Sequence, residues 1–272
     1  MSKLNIKKKS SLEDFGFIED GKHYWWASWY AKVLGYKSIK TLMPSIKKAK
    51  RVCTLLGIPY EDNFVYAVFD WGKDIKLTKF ACFLISLKAD ARKPIVKKAR
   101  TYFLNELEEV NILLKGQDYL DRMVGREELK NLHRKLTRAA RRAHVKDFQF
   151  FTNEGYLGMY NHTMTEIKQL RGVPVKDNLS DYMSTAELAA NIFRISMTEE
   201  RLKTLRNPSE QKAAREHWKI GSQVRAIVKE NVGSYPEEMV ISTDLKTLQS
   251  KLKKAQSELN KAIDTIEFIP LA

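Results

Sequence analysis

The chain has 272 residues, 43% of them hydrophobic, and its 48 lysines and arginines against 33 aspartates and glutamates give a formal net charge of +15. A chain of this length can bury a large core without disulfide or metal cross-links, and it is near the size at which one core divides into two domains. No apolar run reaches the roughly 18 residues of a membrane span, the segment MSKLNIKKKS lacks the apolar centre of a secretion signal, and Cys53 and Cys82 have no metal-binding spacing. We therefore expect a cytoplasmic protein of two domains that uses no cofactor and no metal.

The excess of positive charge is the strongest global signal. A protein with a charge of +15 attracts polyanions, and nucleic acid is the polyanion that this composition most favours. Two other interpretations stay open, namely an anionic membrane surface, which requires a basic amphipathic helix, and a generally basic surface without a partner. We predict single-stranded or duplex DNA as the partner, and no membrane.

Residues 1–23 form a basic N-terminal segment, and the first structural signal lies within it. Asp20-Gly21 separates two short extended runs and predicts a hairpin. A helical pattern then begins at Ala27, and we expect the rings of Trp29 and Tyr30 in the core of the domain.

A second helix is predicted to follow after a glycine turn. Gly35 ends the first helix, and Ser38 caps a helix whose apolar residues share one face. Pro44 lies inside that pattern and predicts a break or a new first turn. Two short helices joined by a glycine turn are typical of a helix-turn-helix, with the lysines directed to solvent or phosphate.

The next elements complete the first domain. NFVYAVFDWG has the composition of a strand, and residues 72–76 predict a basic turn, so that a wing-like hairpin is expected here. Thr78 caps a helix, and Pro94 opens another that runs to about Leu114. KGQD near Lys115 marks the end of this domain, residues 24–115.

A helix predicted over residues 127–144 is the main feature of the second domain, residues 116–240. Acidic residues occupy its first turn and arginines its last, as the helix dipole prefers. Apolar residues from Leu129 to Ala143 form one stripe and cations from Lys130 to Arg142 form another. The cationic stripe suits phosphate contacts, and a solvated helix face is an equally good explanation.

The rest of the second domain gives weaker signals. The aromatic and glycine-containing segment DFQFFTNEGYLGMYNHT predicts a compact loop or short hairpin. Ser184 and Glu187 have capping-box spacing and open a buried helix that continues through Phe193. A further helix spans residues 213–230, and its His217 is expected to be a satisfied, partly buried histidine.

Residues 241–272 form a heptad helix and tail. Leucines, alanines and one isoleucine alternate at spacings of three and four residues over three heptads, which is the lower limit for a coiled coil. Self-association through this seam and docking onto the chain's own domain are both open. The predicted oligomerisation residues are Leu245, Leu248, Leu252, Leu259 and Ile266.

Several long blocks resemble known families. WWASWYAKVLGY, KSIKTLMPSIKKAKRVC and LTKFACFLISLKADARKPIVKKARTYF resemble the Bro-N domain of phage antirepressors and viral Bro proteins. FFTNEGYLGMYN, YMSTAELAANIFRISMTEERL and HWKIGSQVRAIVKENVGSYPEEM resemble the C-terminal region of the DNA-damage-inducible protein D family. The resemblance implies DNA binding through the Bro-N domain and a role in the bacterial damage response, on single-stranded DNA or recombinase filaments.

The sequence gives little support for catalysis. Asp70, Asp74 and Lys76 are similar to the paired acids and lysine of magnesium-dependent nucleases, but such a match arises easily in a lysine-rich chain. The five histidines form no HxH or HExxH pair, and no phosphate-binding glycine loop or GxSxG motif is present. We expect a protein that is not an enzyme.

These observations predict an α+β, mostly α protein, with a small winged or helix-turn-helix-like domain followed by a helical domain. The leading hypothesis is a DNA-binding protein of the damage response; the alternatives are a phage-type transcription regulator or antirepressor, a magnesium-dependent nuclease and a protein-interaction module. The predicted DNA-binding residues are Lys40, Lys47, Lys48, Lys50, Arg51, Lys130, Arg134, Arg138, Arg141 and Arg142.

Overall fold

The computed structural model describes residues 16–70, 72–107 and 119–260. The chain divides into two compact units, the first comprising residues 1–117 and 248–272 and the second comprising residues 118–247. Most of the described residues are helical, and one small antiparallel sheet lies near the N-terminus. The predicted α+β, mostly α class is therefore confirmed.

The first unit is built on a four-stranded antiparallel sheet. The strands are β1 (Phe17–Glu19), β2 (Lys22–Trp26), β3 (Phe64–Phe69) and β4 (Gly72–Thr78), in the order β1-β2-β4-β3. Asp20 and Gly21 adopt φ angles of 51° and 70° between β1 and β2. Two consecutive positive φ angles match the right-handed twist of a two-residue hairpin, so the predicted hairpin is confirmed.

The predicted basic turn at residues 72–76 is wrong, because these residues belong to β4. Phe69 pairs with Gly72 and Phe64 with Leu77, so β3 and β4 form the expected hairpin with longer strands. Ile75 and Leu77 are buried, while Asp74 and Lys76 alternate with them and are half-buried. This alternation with a period of two is typical of a half-buried strand. The lysines of the segment led to the prediction of a turn instead.

The helices of the first unit are α1 (Ala27–Val33), α2 (Ile39–Leu56), α3 (Lys79–Lys88) and α4 (Pro94–Glu106). Tyr30 is fully buried in α1 and its hydroxyl donates to the carbonyl of Cys82 over 2.8 Å. Trp29 is 51% exposed, so the prediction that it lies in the core is wrong. Tyr30, the next residue, points inward, and adjacent residues of a helix point about 100° apart. The buried side of this seven-residue helix therefore cannot hold both rings.

Helix α2 begins after Ser38 as predicted but runs through Pro44 for eighteen residues without a break. A proline inside a helix removes one N–H donor, and here the carbonyl that loses its donor is that of Lys40, an exposed residue of the first turn. The expected break or new first turn at Pro44 is therefore wrong. Gly57 ends the helix with a φ of 67°.

Two predicted helix starts in the first unit are confirmed. The Thr78 hydroxyl accepts a hydrogen bond from the Ala81 N–H over 3.2 Å, and Pro94 is the first residue of α4. Arg100 of α4 donates to the carbonyls of Ser86, Leu87 and Ala89, which satisfies the C-terminal end of α3. Helix α4 ends at Glu106 with Leu107 as its C-cap, so the single helix predicted to reach about Leu114 is wrong. The predicted boundary near Lys115 lies outside the described residues.

The heptad segment forms α10 (Leu245–Leu259), and its residues from Leu248 onward belong to the first unit. Asn260, just after this helix, donates to the side-chain oxygen of Asn63 over 3.0 Å and accepts from the Phe80 N–H over 3.2 Å. The predicted oligomerisation residues Leu245, Leu248, Leu252 and Leu259 are buried within the chain, and Ile266 lies outside the described residues. This is the docking arrangement that the sequence left open, and oligomerisation through the seam stays a prediction.

The second unit consists of helices around one apolar core. They are α5 (Tyr119–Arg142), α6 (Phe148–Tyr160), α7 (Met164–Leu170), α8 (Thr185–Thr204) and α9 (Glu210–Val232), with short 3-10 turns at Leu179–Tyr182 and Pro236–Glu238. Helix α5 packs on α8, and α6 packs closely on α9. The apolar stripe of α5, which includes Leu129, Leu136 and Ala140, lies in the core as predicted.

The loop or hairpin predicted from the glycine-rich aromatic segment is wrong, because this segment is helix α6. A Cβ atom at Gly158 would lie 2.1 Å from the Trp218 carbonyl oxygen, and one at Gly221 would lie 2.9 Å from the Gly155 carbonyl oxygen. These glycines allow the backbones of α6 and α9 to touch. Their purpose is close packing between helices and not a turn, a distinction that composition does not reveal.

Helix α8 starts at the predicted cap but differs from the prediction in two side chains. The Ser184 hydroxyl accepts from the Glu187 N–H over 3.2 Å. The Glu187 carboxylate is fully buried and bonds Tyr160 and Arg171. Phe193, expected to be buried, is 50% exposed.

Candidate nucleic-acid interface

One face of α5 carries a row of exposed cations, which we call the basic face. At 100° per residue these positions fall on the side of the helix opposite Leu129, Leu136 and Ala139, which are buried. The core therefore fixes which way the row points. The basic face consists of Lys130, Arg134, Arg138, Arg141 and Arg142, all of which are exposed.

The arginines of the basic face have few charged partners. Arg134 donates to the Asn131 side chain over 3.3 Å, Arg138 donates to the Arg134 carbonyl over 3.4 Å, and the Arg141 guanidinium lies 5.6 Å from the centre of the Phe148 ring. Lys130 pairs with Glu127 over 3.5 Å. Within the described part of the chain no carboxylate forms an ion pair with Arg134, Arg138, Arg141 or Arg142. The row is thus a concentrated positive charge available to an anion.

A second group of predicted residues lies on α2 in the first unit. Lys40, Lys47 and Arg51 are separated by seven and then four residues, about two turns and one turn of helix, so they lie on one exposed side of α2 with Lys48 beside them. Leu42, Ile46, Ala49 and Cys53 lie on the buried side. The structure thus brings these four cations onto a single helix surface.

Lys50 differs from the other α2 cations. Its ammonium group donates to the Tyr66 hydroxyl over 2.9 Å and lies 5.1 Å from the centre of the Tyr60 ring and 5.3 Å from that of Phe64. Cation–π contacts of this kind hold the side chain against β3. Lys50 therefore has a packing partner inside its own unit.

The three residues suggested by the nuclease motif are not assembled into one site. Asp74 accepts hydrogen bonds from the backbone N–H and the hydroxyl of Ser28 at the start of α1, with an N–H distance of 3.1 Å. Lys76 pairs with Glu19 on β1, and Asp70 is exposed at the end of β3. Among the described residues no group of three or more His, Cys, Asp or Glu side chains is placed to hold a metal ion.

A cleft of about 400 Å³ opens beside the basic face. Lys130, His133 and Arg134 of α5 line one side, and Thr152 and Tyr156 of α6 line another. Sequence reasoning assigned the two cations to DNA but missed the other three residues. The usable signal was the spacing of positions 129, 130, 133, 134 and 137, which share one side of a helix.

A chain of buried polar side chains lies in the core behind this cleft. Arg194, 1% exposed, donates to the Asn191 side chain over 3.0 Å and contacts His217 Nε2 over 2.7 Å. His217 Nδ1 donates to the Phe151 carbonyl over 3.1 Å, so Nε2 accepts from Arg194. Burial and the positive charge of Arg194 hold the pKa of His217 well below its ordinary value, which keeps the ring neutral. The expectation of a satisfied histidine is confirmed, although the ring is fully buried.

The same network contains a buried ion pair. Arg171 donates to Glu187 over 2.8 Å, and the Tyr160 hydroxyl donates to the same carboxylate oxygen over 2.7 Å. Burial raises the pKa of Glu187 even though Arg171 and two hydrogen bonds act in the other direction. Removing one partner would leave a buried charge unpaired, so we interpret these residues as structural.

Comparison with known proteins places the chain in a family. The family model described as the DinD C-terminal domain matches residues 117–248, which is close to the second unit. A protein named DNA damage-inducible protein D, from Escherichia coli strain K12, is 32% identical over 86% of this chain and 92% of its own length. The chain belongs to the DNA damage-inducible protein D family.

Both the basic face of α5 and the cleft beside it lie within the stretch matched by the DinD C-terminal domain. The match begins at residue 117, so the resemblance of the first unit to Bro-N stays a prediction, as does its helix-turn-helix character. No solved structure matches the chain. Among the described residues no helix combines the length and apolarity needed to cross a bilayer.

Proposed function

We propose that this member of the DNA damage-inducible protein D family binds DNA in the cellular response to DNA damage and does so without catalysing a reaction on it. Its E. coli relative is named DNA damage-inducible protein D, which supports the link to DNA damage. The observation that supports DNA binding best is the basic face of α5, where four exposed arginines have no carboxylate partner among the described residues.

Electrostatics explains why this face favours a nucleic acid. Four guanidinium groups on one side of a helix repel each other, and a solvated surface helix would normally intersperse acids to reduce that repulsion. A phosphate backbone supplies negative charges at regular spacing, and arginine can bind phosphate through two parallel hydrogen bonds. Contacts of this type position a protein on DNA without reading its sequence.

The cations of α2 support the same proposal from the first unit. Lys40, Lys47, Lys48 and Arg51 form an exposed surface on an eighteen-residue helix next to the β3–β4 hairpin. This arrangement also favours a second candidate, a phage-type regulator in which α2 reads a DNA site. That candidate predicts a base-specific footprint, whereas phosphate contacts alone predict similar affinity for unrelated sequences.

The salt dependence of binding tests the proposal. Each phosphate neutralised on duplex DNA contributes about 0.9 to the slope of log affinity against log salt concentration. Replacing Arg138 and Arg141 together by alanine should weaken binding and lower that slope by about two. As the matched control, Arg206 and Arg215 are exposed arginines of the same unit outside the basic face, and their double alanine variant should keep the parent slope.

Fluorescence anisotropy of labelled oligonucleotides measures the DNA affinity of both variants. A salt series from about 50 to 200 mM covers the range in which phosphate contacts weaken. Equal slopes for the parent and the Arg138/Arg141 variant would assign the basic face to solvent. Equal losses in both double variants would mean that only net charge matters.

A further inference from the structure

The cleft beside the basic face has the size and position of a ligand site. Its volume of about 400 Å³ lies within the roughly 300–1,000 Å³ range of small-molecule clefts. Lys130 and Arg134 belong both to its lining and to the basic face. A strand of nucleic acid held by the basic face would therefore pass directly over the opening.

The cleft is electrically positive, and its charge comes from two directions. Arg134 contributes from the surface, together with Lys130, whose ammonium group also lies 3.5 Å from the Glu127 carboxylate. Arg194 contributes from below, because its guanidinium lies 5.2 Å from the centre of the Tyr156 ring that lines the cleft. No carboxylate of the described residues pairs with Arg194, so its charge is not cancelled. Burial and Arg194 together lower the pKa of the lining residue His133 to about 4, which keeps that ring neutral at physiological pH.

The interior of the cleft offers hydrogen-bonding groups of both kinds without a negative charge. The Thr152 hydroxyl has no hydrogen-bond partner among the described residues and can donate or accept. Asn178 uses its side-chain oxygen to accept from the backbone N–H and hydroxyl of Ser180, which leaves its amide hydrogens for a ligand. Among the described residues that line the cleft, none is acidic. Neutral polar groups inside and cations at the opening are complementary to a nucleobase attached to phosphate.

We propose that this cleft holds one nucleotide of single-stranded DNA, with the base between α5 and α6 and the adjoining phosphate on Lys130 and Arg134. The inference rests on the proposed function, because the basic face brings the strand to the cleft. A paired base cannot enter without leaving its stack, which costs free energy that an unpaired base does not require. The cleft therefore makes the protein prefer single strands over duplex.

Filling the cleft tests this inference. Thr152→Trp adds an indole from α6, and Thr137→Trp adds one from α5, so the two variants occupy the same space from different walls. Gln149→Trp is the matched control, because it places the same ring on an exposed position of α6 that does not line the cleft. Each variant is compared with the parent chain, and its melting temperature is measured first to show that it folds.

The probes are a labelled single strand of about 20 thymidines, a duplex of the same length, and a single strand whose sugars carry no bases. This length allows several contacts with the protein. We expect each filling variant to lose about tenfold in affinity for the thymidine strand, since one base contact is of that order, and to bind duplex and baseless strand as the parent does. The parent should bind the thymidine strand about tenfold more tightly than the baseless strand, a comparison that requires no variant. Gln149→Trp should match the parent on all three probes.

The outcomes separate this inference from the function on which it rests. Salt-steep binding of DNA by the parent, with equal affinity for base-bearing and baseless strands or no effect of either filling variant, overturns the nucleotide cleft and leaves DNA binding intact. Failure of the parent to bind any of the three probes overturns both. If the filling variants weaken binding of an acidic peptide but not of the thymidine strand, the cleft binds a protein partner. That result would also overturn the inference.

Discussion

Replacing Gly158 by alanine should destabilise the second unit, although alanine is the better helix former. The added Cβ atom would lie 2.1 Å from the Trp218 carbonyl oxygen and 3.0 Å from its Cα atom, and both belong to the backbone of α9. A backbone cannot rotate away, so α6 and α9 must separate. Overpacking of this kind costs about 1–3 kcal/mol, and the contact is close enough for the upper end. The helix propensity of alanine returns up to about 1 kcal/mol, which leaves a net loss of about 2 kcal/mol.

Gly125→Ala is the control that separates packing from propensity. Its Cβ atom would lie 3.6 Å from the Leu188 side chain, an ordinary contact, so the substitution should be neutral or stabilise the unit by up to about 1 kcal/mol. Differential scanning calorimetry of the full chain should show the transition of the second unit lowered by roughly 5–10 °C in Gly158→Ala and not lowered in Gly125→Ala. A Gly158 variant that melts at or above the parent temperature would refute direct backbone contact between α6 and α9.

Three further substitutions test other parts of the structure. Leu252→Asp places a carboxylate at a fully buried position of α10 and should lower the free energy of unfolding by about 3–5 kcal/mol in a thermal melt. Ser257→Asp, on the exposed side of this helix, should have little effect. Equal stability of the two variants would contradict the docked position of α10. The folded-state pKa of His133 is about 4, below its ordinary 6.5, so the unfolded chain takes up a proton first as pH falls between these values and stability falls with it. Urea midpoints from pH 7 to 4.5 should therefore depend less on pH in His133→Gln, and an unchanged profile would show that His133 is open to water. Asp74→Ala should lower the stability of the first unit by about 1 kcal/mol through the lost contact with Ser28, and magnesium-dependent DNA cleavage abolished by this substitution would instead support a nuclease.

Local chemistry predicted those elements whose signals are complete within a few residues. The Asp20-Gly21 hairpin, the Thr78 cap and the Pro94 helix start each depend on the dihedral angles or hydrogen bonds of their own turn, and the structure confirms all three. The apolar stripe of α5 was equally readable, because helical periodicity identifies a buried face before the neighbouring helix is known.

Elements that depend on distant partners could not be predicted in the same way. Gly158 permits a helix–helix contact with a residue sixty positions away, as the Trp218 carbonyl shows, and in isolation a glycine indicates a turn. The nuclease-like pattern failed for a related reason, since Asp74 is engaged by Ser28 on another element. At the candidate interface the cations were predictable from α5 alone, whereas the cleft needs Thr152 and Asn178 from other segments and became visible only in the folded chain.

The measurement that tests the central claim most directly is fluorescence anisotropy of labelled single-stranded and duplex oligonucleotides with the purified parent protein, across a salt series with and without magnesium. Our account predicts tight binding that weakens steeply with salt, tighter binding of the single strand than of the duplex, and oligonucleotides that remain intact in magnesium. Absence of binding near physiological salt would contradict it, and the basic face of α5 would then have to serve a protein partner.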